Sequence, residues 1–498
     1  MKTRLTIVLF LFLTSGHWSN AQEIVVPEKA ALTVSDQYAP SFVDGQLLTF
    51  VKRPRMSNKE FFIHQKDIAT GHKSKTIRLN ASYGKALASS YIDFDSSILF
   101  LFENDSKKNF SLYAIKVSKY TLEPEFEGKL FSYSKSYPAK KNVDYKISIS
   151  EQKSLFSVGL IEFQANDKHV GLIKKVNAYS FDKNCSEMNN YTKDISETFN
   201  LDMREILTYD FNNEAELYSN TDVRIQTYWD VAISDNGLIG FFISGKSQYD
   251  DRNNFSIIQF GGTQVKEKNY INQNSFLSDT RLFFADEKLN AVLLTASIIN
   301  WISIVDSEFS QLEIPTERLG NVIVGFEMVE NDLILLTQQL VSHSKTFKVR
   351  DIMKTTSDQR HSTINLLVVD YNSIFVYRIN PIQKLVWENS MTSEFLDNRV
   401  PSYEKRGVST KGCISNNELH VFYSRDNSSF YTSLDLASGS VSNNETPLRE
   451  GLRILSSPPL FQSCSRDELS LVSNFSLCLS NGVGRNKSNL VFLADCAF

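Results

Sequence analysis

Eight times along the chain an apolar run, a short polar turn and a second apolar run follow one another. The copies are YAPSFVDGQLLTFVKR from Tyr38, YIDFDSSILFLFEND from Tyr91, YKISISEQKSLFSVGLI from Tyr145 and WDVAISDNGLIGFFISG from Trp229. They continue with RLFFADEKLNAVLLT from Arg281, FEMVENDLILLTQQL from Phe326, KGCISNNELHVFYSRDN from Lys411 and LFQSCSRDELSLVSN from Leu460. Turn centres fall near residues 44, 95, 151, 235, 287, 331, 416 and 467, and five of the seven intervals are 44 to 56 residues long, the others 84 and 85. A repeat of this length that holds a hairpin cannot bury its own apolar faces, so it implies a stacked or radial β array.

Further strands complete the unit. After the hairpins come runs such as EFFIHQKDIATG (60–71), NFSLYAIKV (109–117), NFSIIQFGG (254–262), STINLLVVDYN (362–372), SSFYTSLDLASG (428–439) and SNLVFLADC (488–496). Several end in a second turn, such as Ala69-Thr70-Gly71 or Ser438-Gly439, and a polar edge-like strand follows. Four short antiparallel strands in about 50 residues describe a propeller blade. The 35 Phe and 20 Tyr suit pleated, half-buried surfaces. With 20 Gly and 11 Pro, turns rely on Asn, Asp and Ser, which bond their own backbone locally.

The residues Ser41-Phe42-Val43-Asp44-Gly45 through Asp67-Ile68-Ala69-Thr70-Gly71, and Ser424-Arg425-Asp426-Asn427 through Asp435-Leu436-Ala437-Ser438-Gly439, carry a resemblance. The unit resembles the WD40-like propeller repeats of the TolB type. Where those repeats usually place Pro before the turn aspartate, this chain has Val43 or another residue. The resemblance implies a fold. Such propellers occur as periplasmic scaffolds and beside the hydrolase domain of some peptidases. Here the repeats run from about residue 24 to the end and leave no room for a second domain.

The expected fold is therefore all-β: a single β-propeller of about eight four-stranded blades, with seven as the alternative. It spans 22–498, with insertions near 160–225 and 340–362. Within these, NLDMREIL (200–207) and KVRDIMKTTSDQRHS (348–362) are expected to form short helices. A ring must close, because an unpaired terminal strand is an aggregation edge. The segment EIVVPEKAALTV (23–34) is expected to supply the outer strand of the final blade.

Residues 1–21 have the form of a signal peptide. Lys2 and Arg4 precede the apolar run Leu5–Thr14, and Ser19-Asn20-Ala21 puts small residues before a cut at Gln22. Ten apolar residues are too few for a span, which needs about 20. The mature chain is expected to be exported, secreted or periplasmic, with no membrane span, and monomeric. A net charge of −4 speaks against a nucleic-acid partner, which calls for a basic face. Five cysteines permit disulfides in an exported chain without fixing a pairing.

Catalytic signatures are missing: no G-x-S-x-G, H-E-x-x-H, glycine-rich phosphate loop or EF-hand spacing occurs. His64, His72, His169, His343, His361 and His420 are scattered, and no cofactor or metal site is expected. One regularity points to binding. Tyr38, Tyr145 and Trp229 stand six residues before the turn acids Asp44, Glu151 and Asp235, and Arg281 six before Glu287. In a propeller this is where the innermost strand begins, at the rim of the central channel. Aromatic and Arg side chains dominate contact hot spots. Tyr38, Tyr145, Tyr228, Trp229 and Arg281 are thus the expected binding residues, with Tyr228 and Trp229 foremost. The competing expectation for these aromatics is core between blades. The function expected is a non-enzymatic protein- or glycan-binding scaffold. The alternative is a propeller enzyme acting on carbohydrate, a glycoside hydrolase or lyase, through loops on one face.

Overall fold

Runs that are apolar at nearly every position, such as Ile98–Phe102 or Leu333–Leu336, cannot face water on either side, so the sheets they build must be covered on both faces. The structure is a computed structural model. It describes residues 23–25, 41–43, 46–52, 60–67, 73–80, 88–139, 142–165, 170–195, 200–202, 229–246, 253–261, 264–272, 279–294, 298–305, 308–315, 322–348, 363–395, 410–425, 428–449, 453–454, 476–480 and 491–494.

The described strands are all antiparallel. β1 (Glu23–Val25) comes first in the chain and pairs last. β2 (Ser41–Val43), β3 (Gln46–Lys52), β4 (Glu60–Asp67) and β5 (Lys73–Asn80) form one meander. A second consists of β6 (Ala88–Asp93), β7 (Ser97–Asp105), β8 (Asn109–Ser118) and β9 (Pro124–Ser134). A nine-stranded sheet follows. It contains the meander β10 (Val143–Ile149), β11 (Leu155–Ala165), β12 (Val170–Asp182) and β13 (Glu187–Asp194), then β14 (Asn200–Asp202). It ends with the meander β15 (Trp229–Ile233), β16 (Ile239–Lys246), β17 (Asn253–Gly261) and β18 (Gln264–Asn272). The short β14 pairs with both β12 and β16 and so joins the two meanders.

Three more four-stranded sheets come next. They are β19 (Asp279–Ala285), β20 (Lys288–Leu294), β21 (Ile298–Val305) and β22 (Glu308–Pro315); then β23 (Val322–Val329), β24 (Asp332–Lys348), β25 (Thr363–Asn380) and β26 (Lys384–Phe395). The third holds β27 (Thr410–Ser415), β28 (Glu418–Arg425), β29 (Ser428–Asp435) and β30 (Val441–Arg449). The last sheet takes β31 (Arg453–Ile454), β32 (Ser476–Ser480) and β33 (Val491–Ala494) from the end of the chain and β1 from its start. Val25 lies opposite Val491, so the first described strand is the outer strand of the final sheet. Six separate four-stranded sheets and one of nine strands result.

The cores show how the sheets stand. Each apolar cluster is shared by two consecutive meanders. Phe110, Leu112 and Phe131 meet Tyr145, Ile147 and Phe156. Ile161 and Phe163 meet Val231 and Phe241, and Phe242 and Ile257 meet Leu282 and Phe284. Phe283 and Trp301 meet Phe326 and Tyr377, and Ile334 and Val376 meet Leu419 and Val421. Leu282 and Phe283 are adjacent in sequence yet serve opposite interfaces, as strand alternation requires. Gly240 fits this stacking: a Cβ there would stand 2.4 Å from Leu289 Cδ1 of the next sheet. Face-to-face four-stranded sheets with polar outer strands fit a β-propeller.

The first strands of successive meanders also touch one another: β10 with β15, β15 with β19, β19 with β23 and β23 with β27. They therefore line the inside, and the fourth strands lie outside. The first-to-second and third-to-fourth turns fall at one end of every meander. Neighbouring turns there are in contact, since Lys153 Nζ is 3.7 Å from Asp95 Oδ1 and Gln152 N donates to Asp235 Oδ1 at 3.0 Å. In the seven meanders before the closing sheet, connections at this end are two to five residues long.

Some expectations need amending. Among the described residues there is no helix; residues 200–202 of the first expected helix are strand β14. The second expected helix begins at Lys348, the last residue of β24, and residues 349–362 lie outside the described ones. Residues 203–225 of the interval 160–225 lie outside the described ones, and β12 and β13 within it are regular strands of a meander. Residues 340–348 likewise extend β24, paired with β25 from Leu340–Tyr371 to Lys348–Thr363, past the β23 end at Val322–Gln338. This two-stranded arm adds about 30 Å at about 3.3 Å per residue. The turn near 467 lies outside the described residues. Cys413, buried in β27, is disulfide-bonded, while Cys185 is free and buried.

Candidate functional site

An innermost strand has no sheet neighbour on its channel side, so its outward N–H groups need other acceptors. In this chain aspartates supply them. Asp230 of β15, 2% exposed, accepts from its own neighbour Val231 N at 3.0 Å and, across the interface, from Leu282 N of β19 at 3.0 Å. Asp279 of β19 repeats the arrangement, accepting from Thr280 N and from Ile323 N of β23, both at 2.8 Å. Asp144 of β10 accepts from Tyr145 N and from the indole Nε1 of Trp229, both at 2.9 Å. Each carboxylate thus fastens one inner strand to the next.

Two cations complete the cluster. Lys146 Nζ donates to the Trp229 carbonyl and stands 5.3 Å from the centre of its ring. Arg281 Nη1 is 2.7 Å from Asp279 Oδ1 and donates to Thr280 O at 2.7 Å, while its Nε is buried without a hydrogen-bond partner among the described residues. Burial pushes the Asp230 carboxyl above its ordinary range. The charges of Lys146 and Arg281 and the two backbone donors pull it back.

The residues expected at this rim divide. Tyr38 and Tyr228 lie outside the described residues. Tyr145 and Trp229 are 5% and 3% exposed and belong to the cores between meanders. Trp229 stacks on Phe241 at 6.1 Å, and Tyr145 tilts against Phe110 at 5.7 Å. This differs from an open aromatic face, because both sides of each sheet are covered by the next. Arg281 is half-buried, as are Asp144, Lys146 and Lys411 near the same strand ends. Among the described residues, charged groups thus reach solvent at the rim, with Tyr145 and Trp229 behind them. The sequence signal for Asp144, Asp230 and Asp279 was an acid within two residues of each singled-out Tyr145, Trp229 and Arg281.

The β24–β25 arm projects at the end where the inner strands begin. Short, uniform turns occupy the other end. Among the described residues, no group of three or more His, Cys, Asp or Glu side chains is placed to hold a metal ion.

No family model matches the chain, and no curated protein does. Solved structures with some likeness include a prolyl endopeptidase, at 8% identity and a TM-score of 0.37, covering 86% of this chain and 53% of that one. TolB from Acinetobacter baumannii is similar at 10% identity and a TM-score of 0.27, covering 79% and 77%. The β-propeller domain of the Trilobed protease from Pyrococcus furiosus is similar at 12% identity and 0.25, covering 74% and 97%. This chain thus spans about half the length of the prolyl endopeptidase. The propeller assignment itself rests on the sheets and their stacking.

Proposed function

We propose that the chain is an exported eight-bladed propeller, the nine-stranded sheet counting as two blades, which binds a protein or glycan partner at the end where its inner strands begin. It works there as a scaffold, without catalysis. The observation that carries this reading is the projection of the β24–β25 arm at the same end as the half-buried charged groups of the inner strands. Binding residues are preferentially carried on loops held by such a scaffold. Arg281 and Lys146 are the proposed contacts, with Trp229 and Tyr145 holding them from behind. Tyr38 and Tyr228 join the proposal on their sequence positions alone. Export is supported by the form of residues 1–21 and by the Cys413 disulfide, a bond that persists in oxidising compartments.

The test compares the full chain with Lys146→Met/Arg281→Met on a glycan array and in capture from the native envelope or secretome. A ligand bound by the parent should be lost at least tenfold by the double variant, with an unchanged circular dichroism spectrum. Equal capture by both chains would overturn the assignment.

A further inference from the structure

The opposite face, with the short turns, has a pattern of its own and does not depend on the reading above. Among the described residues six large apolar side chains are exposed: Tyr120, Tyr137, Met188, Val265, Ile382 and Val441. Isolated exposed apolar residues need no explanation. Five of these, however, share one position in the repeat. Tyr120 and Ile382 sit in third-to-fourth-strand turns, Met188 and Val265 are the second residues of β13 and β18, and Val441 is the first of β30. Five different meanders thus carry an exposed apolar group at the outer edge of the short-turn face, ranging from 48% exposed for Val441 to 91% for Ile382.

Nearer the centre of that face stand the first-to-second-strand turns. Among the described residues they carry Asp95, Glu151, Asp235, Asp286, Glu287 and Glu330, with Lys153 as the one base within them. The face therefore has a mainly acidic middle, with Lys288 beside it, and a margin where the apolar groups stand near Lys183 and Lys384.

We propose that this face docks a folded protein whose own surface is basic at the centre and apolar around it. Charge selects this occupant. A second copy of the chain laid face to face would set acid against acid, and an anionic lipid surface would meet the same repulsion. A basic partner gains from the centre, and its apolar contacts cover the margin.

The probes are a helical Lys/Leu peptide, its Glu/Leu counterpart, and vesicles of phosphatidylcholine with phosphatidylglycerol, each titrated against the full chain. The Lys/Leu peptide should bind and the Glu/Leu peptide should not, and raising salt from about 50 to 300 mM should weaken binding about tenfold. Replacing Tyr120, Met188, Val265, Ile382 and Val441 together by Ser, or Asp95, Glu151, Asp286 and Glu330 together by Lys, should each weaken it tenfold or more. Lys146→Met/Arg281→Met on the other face should leave it unchanged. The comparison of peptides and the salt series use the unaltered chain, so they decide even if a variant melts early. Peptide binding indifferent to salt and to both sets of substitutions would overturn the proposal. So would uptake by the vesicles, or sedimentation as a dimer that the Ser variant converts to monomer.

Discussion

Replacing Asp230 by Ala should destabilise the whole ring, although the residue lies in no loop and touches no surface. The side chain is 2% exposed and accepts the N–H groups of Val231 and Leu282, both at 3.0 Å. An unmatched buried donor costs about 1–3 kcal/mol, so two cost roughly 2–6 kcal/mol. Lys146 and Arg281 also lose the negative charge between them, while removing a buried carboxylate returns part of the loss. The net expectation is about 2–4 kcal/mol. For 498 residues, an unfolding entropy of about 2 cal/mol/K per residue gives about 1 kcal/mol/K. The melting temperature should therefore fall by about 2–4 °C, alongside a lower urea midpoint at unchanged slope. Asp235→Ala serves as the control: its bond to Gln152 N is exposed, and the change should stay within about 0.5 kcal/mol. Asp230→Asn adds a pH arm. Burial raises the folded carboxyl pKa, so this group's contribution is present below the unfolded value near 3.9 and is lost as pH rises through the folded value. The stability deficit of Asp230→Asn should hence be larger at pH 4 than at pH 7. A loss below about 0.5 kcal/mol for Asp230→Ala would refute the latch between inner strands.

Other perturbations probe the packing. Gly240→Ala drives a methyl group to 2.4 Å from Leu289 Cδ1 and should cost about 1–3 kcal/mol in denaturant titrations. The turn residues Asp286 and Glu287 have φ of 48° and 60°, which suits a type I′ hairpin of Asn-Gly. Asp286→Asn/Glu287→Gly should thus raise stability by about 1 kcal/mol, read from the same titration. The Cys185 thiol is pushed up to about 12, chiefly by burial. It should resist iodoacetamide at pH 8 in the native protein and label fully in urea, as peptide mass spectrometry would record.

The repeat was legible because a propeller sheet buries both faces, so each copy must carry paired apolar runs. Its turns were legible because Asp, Asn and Gly favour local bonding or left-handed backbone; Gly237, at φ 81°, is one. The seam was legible too, since β1 pairs with β33 as a closing ring demands. The rim was harder. Spacing located Tyr145 and Trp229 along their strands, but much of the cover comes from the preceding meander, from Phe110 for Tyr145 and from Ile161 and Phe163 for Trp229. Acids near strand ends resemble solvated turn residues. Nothing local in the sequence tells that Asp230 meets the backbone of Leu282, 52 residues later. The β25 side of the β24–β25 arm was legible as the strand run 362–372, whereas residues 340–348 were counted with an insertion because they extend β24 past the end of β23.

Ring closure by the two ends of the chain is the claim on which the rest depends. In the full chain, Val25→Cys/Val491→Cys places two thiols on facing residues of β1 and β33, within reach of a disulfide after mild oxidation. The account predicts one intramolecular link between these peptides by non-reducing mass spectrometry, and none for Val25→Cys/Val43→Cys. Free thiols at 25 and 491, or links formed only between molecules, would contradict it.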